Sequence, residues 1–117
     1  MFPEALLDHF QNPRNVGELA APAVIVEVSN PACGDILRLS VRFENGIAQE
    51  VRYKVRGCTA SIAAGSALTE WIAGKTRAEL ALFKPIAVDH AVGGLPVASK
   101  HAAALCADGV KALLSAR

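Results

Sequence analysis

The feature that most constrains this chain is a pair of alternating segments joined by Asn45-Gly46. In Ile36 to Glu44, the residues Leu37, Leu39, Val41 and Phe43 share one face, while Arg38, Ser40 and Arg42 share the other and are expected to meet water. In Ile47 to Arg56, Val51, Tyr53 and Val55 alternate with Arg52, Lys54 and Arg56. A period of two is the mark of a half-buried strand. Asn-Gly favours a two-residue hairpin turn, because both positions accept positive φ. The two segments must pair antiparallel, and a hairpin brings its open ends together. Asn30-Pro31-Ala32-Cys33-Gly34-Asp35 stands just before the first strand, and Gly57-Cys58 stands just after the second. Two thiols and a carboxylate, distant in sequence, are therefore expected to meet as the beginning of a metal site.

The remaining segments cover this hairpin. Phe2 to Phe10 reads as a short amphipathic helix, with Pro3 in its first turn and Leu6, Leu7 and Phe10 as its apolar stripe. Pro13 and the Asn and Gly residues of Gln11 to Gly17 end it. Ala23 to Ser29 alternates as a third strand, with Val24, Val26 and Val28 on one face. Three strands with one polar face need helices on the other. Those helices are expected at Thr59 to Ala73, ended by Gly74, and at Val97 to Ala116. Between them Thr76 to Ala81 has a capping box, Thr76 with Glu79. Phe83 to Val92 fits either a turn of helix or extended chain, and Gly93 to Pro96 reads as a loop.

A length of 117 residues, 52% of them apolar, suits one domain over residues 1–117 with a real core. A formal charge of +1 offers no field for nucleic acid or an anionic membrane. No apolar run reaches the roughly 20 residues of a bilayer span. Met1-Phe2-Pro3-Glu4 lacks the basic start of a secretory signal. Three widely spaced cysteines, an odd count, do not suggest a disulfide framework. Reduced thiols in the cytoplasm are the expectation, used for metal, redox work or packing.

Cys58 falls just before a helix start, where the positive end of the helix dipole favours thiolate, the form that binds metal. Gly34 lets the loop backbone approach closely. Asp35 is suited to ligate a metal or to act as a base beside one. Each residue has a plainer reading beside this: a cysteine as a small buried apolar group, and an aspartate after glycine as a turn residue. His9 and His90 read as surface or capping groups. His101 follows Leu95-Pro96 at the start of the last helix, where side chains can point back at the sheet edge, and Cys106 lies five residues later.

These residues carry a resemblance. Leu7-Asp8-His9-Phe10-Gln11-Asn12-Pro13-Arg14-Asn15-Val16-Gly17, Asn30 to Asp35, Gly57-Cys58-Thr59-Ala60-Ser61-Ile62-Ala63, Leu68-Thr69-Glu70-Trp71 and Gly74-Lys75-Thr76 together resemble the U-type iron–sulfur cluster scaffold proteins (IscU, the N-terminal domain of NifU, and SufU). The resemblance covers nearly the whole chain. It implies an α+β fold, a small three-stranded antiparallel sheet with helices packed on one face. It implies an assembly scaffold rather than an enzyme. Iron and sulfur from a cysteine desulfurase would be combined there into a transient 2Fe-2S cluster, which is then passed to apo iron–sulfur acceptor proteins. Cys33, Asp35 and Cys58 carry over as ligands. In the family the counterpart of Asp35 keeps the cluster labile, in line with the weaker hold of a carboxylate on iron–sulfide. Zn²⁺ is the other ion expected in the same site.

The chain departs from the family in its last helix. The family's Leu-Pro-Pro-Val-Lys-x-His-Cys stands here as Leu95-Pro96-Val97-Ala98-Ser99-Lys100-His101-Ala102. His101 matches, and Ala102 replaces a cysteine. Cys106 lies four residues on, about 40° around the helix and ~6 Å along it. It is either a relocated third ligand or a buried small residue with His101 as the ligand. The lost proline and lysine argue against a dedicated Hsp70-type chaperone as partner. Besides the scaffold, the residues allow a zinc-bound persulfide acceptor of the SufU kind, or a regulator of a desulfurase.

Overall fold

The computed structural model describes residues 2–31 and 34–116. Three strands, β1 (Val24–Ser29), β2 (Ile36–Glu44) and β3 (Ile47–Arg56), form an antiparallel sheet in the order β1-β2-β3. Asn45 and Gly46 take φ of 54° and 76°, as a hairpin turn of this length demands. Register runs from Glu44 opposite Ile47 to Ile36 opposite Arg56, with one irregularity between Arg42 and Phe43. Leu37, Leu39, Val41, Val51 and Tyr53 are buried on the inner face. The irregularity leaves Phe43 only partly buried, with the Arg77 guanidinium 4.3 Å from its ring centre.

Among the described residues, five helices accompany the sheet: α1 (Glu4–Gln11), α2 (Thr59–Ile72), α3 (Arg77–Leu80), α4 (Pro85–Ala91) and α5 (His101–Ser115). Helix α2 packs on β3, and α5 packs on β1 and β2. Small residues let both helices approach the sheet closely. A Cβ added at Gly65 in α2 would stand 2.6 Å from the Tyr53 ring, and one at Gly109 in α5 would stand 2.9 Å from Leu37 Cδ2. Tyr53 is itself held by donating its hydroxyl to the Ile62 carbonyl at 2.8 Å. Thr76 and Glu79 form the expected capping box of α3. The segment open to either reading, Phe83 to Val92, contains helix α4 with Pro85 in its first turn. The last helix is broken at its start, with a 3-10 turn over Val97–Ser99 before α5. Among the described residues, no helix is long and apolar enough to cross a membrane.

Two expectations change. Ser40, assigned to the water-facing side, is buried, in register with Ile25 on one neighbouring strand and Arg52 on the other. Around it the polar face carries exposed ion pairs such as Arg38–Glu18 at 2.5 Å and Arg42–Glu50 at 3.0 Å. Pairs of this kind contribute little individually. His9, read as a surface or capping group, is buried, with Nδ1 2.8 Å from Ser66 Oγ in α2 and Nε2 3.6 Å from Glu70.

His9 belongs to a joint that fastens the N-terminal segment. The Arg14 backbone N–H donates to Ser66 Oγ at 2.9 Å, and Asn15 Nδ2 donates to Thr69 Oγ1 at 3.1 Å. Asp8 accepts from Arg14 Nη2 at 2.6 Å. Residues 15–17 then pair with the outer edge of β3, Tyr53 N donating to Asn15 O at 2.9 Å and Gly17 N to Tyr53 O at 3.0 Å. The edge strand is covered, and a sheet edge left open is a liability.

Burial is the largest influence on His9 and holds its imidazole below the usual range; Arg14 adds to this, while Glu70 and Asp8 oppose it. The unfolded chain therefore takes up this proton first as pH falls. Stability is retained above about pH 6.5 and is lost as pH drops through that value and below. His9→Gln, which cannot titrate, is expected to flatten the melting midpoint between pH 7 and pH 5 as followed by circular dichroism. An unchanged slope would assign the pH dependence elsewhere.

Candidate metal centre

The centre lies where the hairpin ends meet the starts of α2 and α5. Asp35 is the last residue before β2, and Cys58 is the N-cap residue of α2. Because Ile36 pairs with Arg56, the register sets Asp35 against Gly57 and Cys58. The loop before it closes on itself, with Gly34 N donating to Asn30 O at 2.7 Å and Asn30 N to Asp35 O at 2.9 Å. Gly34 takes φ of 76°, a value side chains other than glycine rarely accept.

Gly57 has a different reason to be glycine. A Cβ there would lie 2.5 Å from Asp35 Cγ and 2.7 and 2.8 Å from its two oxygens. The carboxylate occupies the space a side chain would fill. Its Oδ2 accepts from Ser61 Oγ at 2.5 Å and lies 3.3 Å from Cys58 Sγ and 3.5 Å from the Cys58 backbone N. Burial, the largest influence on Asp35, works against its charge. The hydrogen bonds from Ser61 and Cys58, with the His101 ring nearby, outweigh it and hold the carboxyl below the usual range.

His101 arrives from the start of α5. Asp89 in α4 accepts from Leu95 N at 2.5 Å and from Lys100 Nζ at 3.3 Å, which fixes the loop leading into α5. His101 Nε2 then stands 3.5 Å from Asp35 Oδ2 and 3.5 Å from Cys58 Sγ. One ligand atom from each of Asp35, Cys58 and His101 lies within 4.8 Å of the others. Asp35 is buried, His101 is half-buried and Cys58 is exposed, so the group opens to solvent on the thiol side. Carboxylate, thiolate and imidazole are the donor types that zinc and iron accept, so these residues fit such an ion.

Of the five sequence-expected ligands, the structure brings these three together. Cys33 lies outside the described residues. Cys106 is not in the group. It is buried among the core residues, and burial pushes its thiol up to about 12. Cys106 and Ala102 do share a face, and both are buried. That face points into the core, whereas His101 reaches the centre from about 100° around the helix. The ~7.5 Å of axial rise from residue 101 to 106 carries Cys106 further from the centre. His90 is exposed and His9 serves the N-terminal joint. Sequence reasoning passed over Ser61, although its place three residues after Cys58, in the first turn of α2, was a usable signal.

Comparison with known proteins places the chain in a family. The NifU-like N terminal domain family matches over residues 1–116. The chain belongs to this family. It is 35% identical over 118 residues to the iron–sulfur cluster assembly scaffold protein IscU of Haemophilus influenzae, covering 97% of this chain and 93% of that one. It is 36% identical over 115 residues to the IscU of Azotobacter vinelandii, covering 95% and 89%. The crystal structure of a nitrogen-fixing NifU-like protein (N-terminal) from Brucella abortus superposes with a TM-score of 0.72, covering 96% and 88%, at 19% identity. That likeness speaks to the fold alone, and it confirms the expected α+β arrangement of a three-stranded antiparallel sheet with helices.

Two variants test the centre's construction. Gly57→Ala is expected to push the Asp35 carboxylate aside and to weaken zinc binding about tenfold or more, read by competition with a chromophoric chelator. An unchanged affinity would mean that Asp35 does not need this position. Cys106→Ala is expected to leave zinc affinity unchanged and to cost about 1 kcal/mol of stability in a urea titration. Loss of zinc instead would return Cys106 to the ligand set.

Proposed function

We propose that this chain is a scaffold on which iron and sulfur are combined into a transient 2Fe-2S cluster and from which the cluster is handed on. The observation that carries the reading is the convergence of Asp35, Cys58 and His101 from three separate parts of the chain. Cys33 is proposed as the fourth ligand, on the family motif and its place two residues before Asp35. A 2Fe-2S cluster takes four protein ligands, two on each iron. Cys33, Asp35, Cys58 and His101 supply that number without Cys106. The cluster is cargo here, and the ligand mixture suits cargo. Carboxylate and imidazole are harder and more readily displaced from iron–sulfide than a full set of thiolates.

Opening on the thiol side suits both ends of the task. A cysteine desulfurase is the proposed sulfur donor, and it must bring a persulfide to an accessible sulfur; Cys58 is exposed at the start of α2. Apo iron–sulfur proteins are the proposed acceptors and need the same access. The role is that of a non-enzymatic scaffold working in a reducing compartment such as the cytoplasm, where thiols stay free.

The exposure of Cys58 also favours a second reading, in which zinc occupies the centre and Cys58 accepts sulfane sulfur without a cluster being built. Anaerobic incubation with ferrous iron, cysteine and a desulfurase separates the two. Visible absorption of a 2Fe-2S chromophore at two irons per chain, abolished by Cys58→Ser, is expected. A colourless protein carrying zinc and persulfide would replace the first reading with the second.

A further inference from the structure

Ser61 is out of character with its surroundings. Ala60, Ala63 and Ala64 are its buried neighbours in the first turns of α2, and Ser61 is 1% exposed. Alanine would satisfy the packing and favour the helix more. A buried hydroxyl is costly unless it is hydrogen-bonded. The bond it makes is to Asp35 Oδ2 at 2.5 Å, with Cys58 Sγ 3.5 Å from Ser61 Oγ. That oxygen is also the one nearest the other two ligand atoms, 3.3 Å from Cys58 Sγ and 3.5 Å from His101 Nε2. A local departure from the best packing residue, tied directly to a site, marks a functional constraint.

We propose that Ser61 is a positioning residue for the centre, whose hydroxyl holds Asp35 Oδ2 toward Cys58 and His101. Asp35 would then offer a metal ion a carboxylate oxygen held in place by Ser61. Gly57 provides the space for the carboxylate, and Ser61 supplies the donor that keeps it from rotating. A carboxylate so held ligates without enclosing the ion, which is what a cargo site requires. This inference rests on the metal-centre reading of the previous subsection and adds to it the residue that sets one ligand's geometry. Partners in hydrogen bonds to ligating groups commonly change metal affinity 10–100-fold when removed.

Cobalt(II) alone is the probe, added anaerobically to the metal-free chain, with binding read from the thiolate-to-cobalt charge-transfer band and geometry from the d–d bands. Ser61→Ala is expected to weaken cobalt binding about tenfold or more. At saturation its d–d bands are expected to lose intensity, because a freed carboxylate takes a second contact and raises the coordination number. In an Asp35→Ala background, Ser61→Ala is expected to have no further effect, since its action runs through Asp35. Wild-type affinity in Ser61→Ala overturns the proposal. So does a loss that persists undiminished in the Asp35→Ala background, which would make Ser61 a packing residue. Should Asp35→Ala bind no cobalt, the band shape of Ser61→Ala decides, and an unchanged shape counts against the role. A wild-type chain that develops no charge-transfer band overturns the metal reading itself, and Ser61's part with it, whereas normal wild-type binding beside an unaltered Ser61→Ala overturns only the latter.

Discussion

The register of the β2–β3 hairpin is the constraint on which the structure depends. Asn45 and Gly46 close the turn in the left-handed region, and from there the pairing counts outward to Ile36 opposite Arg56. A slip of one residue would move Leu37, Leu39 and Val41 from the core to the polar face. It would also separate Asp35 from Gly57, whose missing side chain is the space the carboxylate fills. Core and centre are thus set by one alignment of backbone hydrogen bonds. The core enforces it, because burying those apolar side chains is what makes any other register costly.

Close packing of helices on the sheet carries that alignment to the remaining ligand. Helices α2 and α5 are rich in alanine and glycine where they face the strands, and Gly65 and Gly109 leave no room for even a methyl group. Rigid contact fixes where the first residues of both helices fall. Cys58 caps α2 and His101 opens α5, so both groups sit at helix starts rather than on loops free to wander. Asp89, holding Leu95 N and Lys100 Nζ, removes the slack from the approach to His101. The polar residues at the N-terminus do different work. Asp8, His9, Arg14 and Asn15 look as chemically capable as the centre, but their bonds run to each other and to Ser66 and Thr69. They fasten a segment along the open edge of β3.

Most of the architecture was legible because short-range signals agreed with one another. Strands β2 and β3 were readable to the residue, since alternation and an Asn-Gly turn give the same boundaries. The capping box at Thr76 was equally clear. Legibility failed where a residue's role depends on what covers it. Ser40 alternates with the water-facing residues, yet it is buried. His9 sits on a short helix whose polar face is closed off by α2. Cys106 shares a helical face with Ala102, and that face is turned into the core.

By itself, then, the sequence determined the strands, the turn that pairs them, the helices other than α4, and the meeting of the Asp35 and Cys58 ends. These follow from periodicity and turn chemistry, which act over a few residues. Only the tertiary structure decided that His101 rather than Cys106 joins Asp35 and Cys58, that Ser61 holds the carboxylate, and that Gly57 must lack a side chain. Each of those depends on the distance between groups far apart along the chain, and such distances are fixed by how the helices seat on the sheet.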